Sequence, residues 1–145
     1  MRALIQRVSS ASVLVEGQLV GEIDEGLVVL LGVGAGDGPE QVRKLADKVA
    51  KLRVFDGDAG RMDRSLIDLG AAALCISQFT LYSDTRRGLR PSFTDAAEPG
   101  VAERLYEEFC DELAARGVQV ERGRFGARMS VALVNEGPVT LMLEV

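Results

Sequence analysis

The chain reads as an α/β protein: mixed β-sheets in two layers, with about two main helices packed on them in a single compact domain. Three observations predict this. Segments with strand character outnumber helical ones. Two amphipathic helical segments are long enough to serve as crossovers between strands. No internal repeat or low-complexity linker divides the 145 residues, a length that suits one domain with a real core, spanning 1–145.

Residues 2–8 and 11–15 have strand character, and Glu16-Gly17-Gln18 reads as a hairpin turn into a strand over 18–23. Leu27 to Val33 is a short apolar run bounded by glycines, the pattern of a buried strand. Glycine-rich Gly32-Val33-Gly34-Ala35-Gly36-Asp37-Gly38 follows. It lacks both the Gly-Lys-Ser/Thr of a phosphate loop and the third glycine of a dinucleotide fingerprint, so it reads as a strand-to-helix connection. Pro39 suits the first turn of a helix to about Lys51, whose Val42, Leu45, Ala46 and Val49 form one apolar face. Ala72 to Leu81 is nearly continuous and reads as a strand. A second helix begins near Pro99, buries Ala102, Leu105, Tyr106, Phe109 and Leu113, and ends at Gly117. Strands at about 118–123, 128–134 and 139–145 complete the chain.

Composition narrows the chemistry. Hydrophobic residues are 47% and charged ones 27%, a globular balance that excludes disorder as the main state. The opening stretch is too short and too interrupted by Gln6 and Arg7 for a signal peptide, and no segment reaches membrane-spanning length without charges. A cytoplasmic location with no membrane partner is expected. Cys75 and Cys110 read as buried reduced thiols. More decisive, the chain contains no histidine. That removes Ser-His and Cys-His triads and histidine-ligated metal sites, and two cysteines do not make a zinc site. No metal and no cofactor are expected. Chemistry must rest on carboxylates, hydroxyls, lysines, backbone dipoles or the substrate itself. A net charge of −5 gives no global basic field for nucleic acid, although Arg86, Arg87 and Arg90, and Arg122, Arg124 and Arg128, form two local patches.

Three features could carry function. As a strand, 72–81 would place Cys75, Ser77, Phe79 and Leu81 on one face and Ile76, Gln78 and Thr80 on the other. Its apolar run turns polar at the tip, which suits the floor of a pocket, and a strand end leaves backbone N–H groups free for an oxyanion. A nucleophilic Ser77 or Thr80 is the weaker reading, because no activating base lies in the segment. Gly137-Pro138 interrupts the last apolar runs. Only about 5–6% of X-Pro bonds in folded proteins are cis, so the sequence leaves the isomer open. Arg7 shares a strand face with Ala3 and Ile5, where a charge needs a partner.

These segments together resemble the D-aminoacyl-tRNA deacylases of the homodimeric bacterial and eukaryotic type. The likeness runs the whole length: Met1-Arg2-Ala3-Leu4-Ile5-Gln6-Arg7-Val8, Ser65-Leu66-Ile67-Asp68, Ser77-Gln78-Phe79-Thr80-Leu81, Arg90-Pro91-Ser92-Phe93, Gly123-Arg124-Phe125-Gly126-Ala127-Arg128-Met129 and Asn135-Glu136-Gly137-Pro138-Val139-Thr140. The resemblance implies a homodimer that hydrolyses the ester between a D-amino acid and the 3′ end of a tRNA. It implies Ser77, Gln78, Phe79 and Thr80 as the pocket floor. Gly137 and Pro138 become a cis chiral filter inserted into the partner's site, and Arg7 a support for that motif. Phe125 and Met129 become pocket-wall and adenosine-site residues, with Asn135 in support. Three positions depart from the family pattern: Glu136 stands where Asp is commoner, Arg87 where Lys is commoner, and Arg128 where an acidic residue is commoner. The alternatives are a sister class with a trans Gly-Pro that admits certain L-aminoacyl-tRNAs, a non-catalytic RNA-binding module, and a Ser/Thr hydrolase of small esters or amides.

Overall fold

The computed structural model describes all of residues 1–145. Strand β1 (Arg2–Val15) forms a hairpin with β2 (Gln18–Ile23), with Glu16 and Gly17 at positive φ in the turn, and β3 (Gly26–Gly32) pairs antiparallel with the first half of β1. Helix α1 (Pro39–Lys51), a small β4 (Phe55–Asp56) and β5 (Met62–Arg64) hairpin, and a short helix α2 (Leu66–Leu69) then lead to β6 (Ala72–Ser77). A 3₁₀ turn, Phe79–Tyr82, and a long loop precede helix α3 (Pro99–Ala115), β7 (Gln119–Arg122) and β8 (Met129–Glu144). The connections through α1 and α3 make β3, β6 and β7 mutually parallel, as helical crossovers allow.

The two expected β layers are two halves of one bent, six-stranded sheet ordered β2-β1-β3-β6-β7, with β8 on the free side of β1. Period-2 alternation sorts the core. Leu27, Val29, Leu31, Ala73 and Cys75 face the helices, together with Leu45, Val49, Leu105 and Phe109. Val28, Leu74 and Ile76 face the other way, into a smaller cluster with Val13 and Ile23 that fills the near-barrel. Both cysteines are buried and free. No helix is long and apolar enough to cross a membrane.

Four local readings change. Residues 2–15 are one strand, not two: Val8 pairs with Asn135 and Ser10 with Val134, so Ser9 is an extra residue in a β-bulge. That bulge moves β1 from one core to the other, since Ala3 and Ile5 lie in the first and Ala11 and Val13 in the second. The last two strands are likewise one. Gln6 pairs with Thr140 and Val8 with Asn135, so Arg7 alone faces the four residues Glu136–Val139, which loop out of the ladder. The strand from Ala72 stops at Ser77 instead of reaching Leu81, because its neighbour β3 ends at Gly32 and offers no further partners after Leu31 accepts from the Gln78 N–H at 2.7 Å. Finally, the β4–β5 hairpin and α2 escaped the sequence reading. The cue for α2 was Ser65 three residues before Asp68, a capping box: the Ser65 amide donates to Asp68 at 2.8 Å and the Asp68 amide to the Ser65 hydroxyl at 3.3 Å.

Candidate active site

Where β6 ends, the chain curls and its side chains leave the strand alternation. Gln78 and Phe79, neighbours in sequence, therefore line the same cavity, which two adjacent strand residues would not do. This cavity of about 410 Å³ lies between the 3₁₀ turn, the end of β3 and the start of α3. Ser77, Gln78 and Phe79 form one side, Phe93 and Ala96–Pro99 another, and Tyr106 and Phe125 the inner wall. Phe79 is 57% exposed and its ring meets Phe93 edge-on at 4.9 Å. Tyr106 donates its hydroxyl to the Cys75 carbonyl at 2.8 Å, so its one polar atom is satisfied and its ring is left as apolar wall. Burial, with the neighbouring thiols, pushes the Tyr106 pKa up and keeps it neutral. Phe93 and Tyr106 were not singled out from the sequence. Tyr106 fell on the apolar helix face, where pattern reads it as core and nothing more.

Thr80 stands exposed beside this cavity, and its hydroxyl accepts from the Gln78 side-chain amide. An N–H aimed at the oxygen withdraws its lone pair and is the opposite of activation by a base. The amides of Phe79 and Thr80 head the 3₁₀ turn, and leading N–H groups of a helical turn have no acceptor within it. Glu98 is the only carboxylate on the cavity lining, at its rim.

A second constellation forms at the β1–β8 excursion. The Gly137–Pro138 bond is cis, and both residues are exposed. Arg7, with a side chain only 11% exposed, holds the loop from below: Nε donates to the Glu136 carbonyl at 3.2 Å and Nη2 to the Gly137 carbonyl at 3.5 Å. Its Nη1 donates to the Val54 carbonyl at 2.6 Å and to Asp56 at 3.4 Å, which supplies the partner a half-buried charge requires. Asn135 ties the base of the loop, donating to the Arg7 carbonyl at 2.9 Å and the Val139 carbonyl at 3.1 Å. Arg7, Asn135, Gly137 and Pro138 are thus one unit. None of them lines the Ser77–Phe79 cavity. Phe125 does, whereas Met129 packs on the other side of the sheet, against the near-barrel core.

A bent mixed sheet carrying a histidine-free cavity, floored by a 3₁₀ turn, defines a class of small α/β protein whose pocket offers backbone amides, Ser77, Gln78 and, at the rim, the Glu98 carboxylate. Comparison with known proteins makes the assignment particular. The family described as D-Tyr-tRNA(Tyr) deacylase matches residues 4–144. A D-aminoacyl-tRNA deacylase of Roseiflexus castenholzii is 58% identical over 99% of this chain and 92% of its own. One from Ruegeria pomeroyi is 57% identical over 100% of both. A solved structure, the c-Myc DNA Unwinding Element Binding Protein, matches with a TM-score of 0.94 at 37% identity, covering 100% of this chain and 99% of that one. The chain belongs to the D-aminoacyl-tRNA deacylase family.

Proposed function

We propose that the protein hydrolyses the ester joining a D-amino acid to the 3′ end of a tRNA, releasing the free amino acid and the tRNA. The observation that carries this reading is the cavity itself: Ser77, Gln78, Phe79 and Phe125 converge on it, and the chain has no histidine to activate a hydroxyl there. A ribose ester is already activated, and its neighbouring 2′-hydroxyl can assist the attacking water. Water adds to the ester carbonyl, the oxygen gains negative charge, and collapse expels the ribose 3′-oxygen, which takes up a proton. The protein then supplies position and oxyanion stabilisation, terms worth several kcal/mol each. The leading amides of the 3₁₀ turn, Phe79 and Thr80, are the donors we assign to that charge.

Chiral selection falls in this reading to Gly137 and Pro138. Backbone held rigidly by Arg7 and Asn135 can exclude every L side chain by collision, a stronger discriminator than favourable contact with a small group. The loop is exposed and absent from its own protomer's cavity, which supports a homodimer with each loop inserted in the partner's site. Strand β8 favours the same conclusion: it pairs only with β1 and carries exposed Val134, Leu141 and Met142 on a free edge. Such a filter has nothing to collide with in glycine, so glycyl-tRNA, including glycine mischarged onto tRNA(Ala), would be hydrolysed too.

The test is loss of ester from matched D-tyrosyl- and L-tyrosyl-tRNA, with and without chelator, alongside glycyl-tRNA and a D-tyrosyl ester on a 2′-deoxy terminal adenosine. Chelator-resistant loss of the D form, spared L form and a slowed 2′-deoxy substrate are expected. A nucleic-acid-binding role without chemistry is the second reading, favoured by the name of the 37%-identical solved structure. Tight RNA or DNA binding with neither ester consumed would establish it instead.

A further inference from the structure

The glycine-rich stretch after β3 has no role in the function so far. Two of its glycines are explained by close approach and not by backbone conformation. Gly36 has φ +90 with open space around it, an ordinary turn glycine. Gly32 and Gly34 are the reverse: neither adopts a positive φ, yet a Cβ at Gly34 would collide with Tyr82 and one at Gly32 would sit tight against the turn. A Cβ on Gly34 would lie 2.7 Å from the ring and hydroxyl of Tyr82. One on Gly32 would lie 3.1 Å from the Gln78 carbonyl and from Leu81 Cβ, and 3.2 Å from Tyr82. The 3₁₀ turn that presents Phe79 and Thr80 outward therefore rests its back directly on two bare stretches of backbone.

Other contacts hold the turn in that slot. Arg2 donates to the Leu81 carbonyl at 3.0 Å and stacks 4.5 Å above the Tyr82 ring. Asp37 accepts from the Gly34 amide at 2.6 Å and from the Tyr82 hydroxyl at 3.4 Å. The same loop also fixes the opposite wall of the cavity: the Val33 carbonyl accepts from Ala97 at 3.0 Å, and the Ala35 amide donates to the Asp95 carbonyl at 2.9 Å. One short segment thus sets both the height of the floor and its distance from the wall.

We propose that Gly32 and Gly34, with Tyr82 as the group they seat, are positioning residues for ester hydrolysis, fixing where the Phe79 and Thr80 amides meet the reacting carbonyl. This rests on the hydrolase reading above. Gly34→Ala would lift Tyr82 and tilt the turn, and a misplacement near 1 Å costs on the order of 10²-fold in rate. The expected result is that fall in kcat on D-tyrosyl-tRNA with KM little changed, and displaced amide resonances of Phe79 and Thr80. Tyr82→Leu empties the slot, so the double variant Gly34→Ala/Tyr82→Leu should be no slower than Tyr82→Leu alone. Gly38→Ala, in the same loop, with φ −149 and only an ordinary 3.8 Å contact to Gln41 at its Cβ, should keep kcat and leave those resonances in place. Wild-type kcat and unmoved Phe79 and Thr80 resonances in a folded Gly34→Ala would overturn the proposal, as would multiplicative losses in the double variant. If the wild type consumes no ester, the hydrolase reading fails, and the resonances alone still decide whether the slot sets the turn.

Discussion

Thr80 sits where a nucleophile would be sought, and its bonding argues otherwise. Its oxygen is occupied by the Gln78 amide, so Thr80→Ala removes a pocket contact and not a reacting atom. We expect kcat to fall roughly tenfold, the scale of one lost hydrogen bond, with turnover retained; complete loss in single-turnover assays would restore the nucleophile reading. Tyr82 gives a prediction in pH. Burial first, then the Asp37 carboxylate, pushes its pKa from 10.0 to about 12, against the opposing pull of Arg2. The folded protein thus holds the phenol proton more tightly than the unfolded chain does. The stability this contributes is complete below pH 10.0 and is lost as pH rises towards about 12. Denaturant midpoints measured across that window should fall less steeply in Tyr82→Phe, and an unchanged slope would dissociate the phenol from alkaline unfolding.

Among the elements, the best-read were those whose signals are local. Helix α1 runs from Pro39 to Lys51 as its apolar face and proline predicted, and α3 opens at Pro99 and ends at Ala115 for the same reasons. Helix α2 shows how a single cap can define an element of four residues. Ser65→Ala should cost about 1 kcal/mol, which thermal unfolding would record as a Tm lowered by roughly 2–4 °C; no change would mean that packing of Leu66 suffices. The strand from Ala72 failed where the signal was not local. Gln78-Phe79-Thr80-Leu81 is as compatible with a strand as the residues before it, but pairing requires a neighbour, and β3 has ended. The site forms at that failure, because the curl brings adjacent side chains to one cavity.

At the scale of the whole molecule, the distribution of charge decides which arginines are free to meet a phosphate backbone. Arg86 is held along one edge, Nε and Nη2, by both oxygens of Asp84, and Arg122 is paired with Glu107 and Asp111, so these arginines already have carboxylate partners. Asp84, held down to about 2 chiefly by the hydrogen bonds of Arg86, keeps its charge at any working pH. Arg87 and Arg90 are exposed on the loop before Phe93, and of the arginines on this loop only Arg86 makes an ion pair. Arg87→Ala and Arg90→Ala should each weaken tRNA binding and lower its salt slope by about 1, whereas Arg86→Ala should leave the slope unchanged; equal slopes throughout would remove this loop from the RNA contact. The proposed homodimer is tested by two variants: Phe79→Ala damages the cavity and Gly137→Glu the loop. Mixing the two inactive variants after subunit exchange should regenerate activity through heterodimers holding one intact site, and a mixture as dead as its parents would argue against shared sites. The sequence by itself determined the two long helices, the two faces of the strand from Ala72 to Ile76, the exclusion of histidine-based triads and metal sites, and the residues that carry the family resemblance, because each follows from periodicity, composition or a contiguous motif. Only the tertiary structure decided that Arg7 faces four residues of β8 across a broken ladder, that the Gly137–Pro138 bond is cis and its loop lies outside its own protomer's cavity, and that Gly32 and Gly34 are glycine to admit Tyr82. Those are contacts between segments distant along the chain, and the chance of one residue meeting another there is set by the packing of the whole fold.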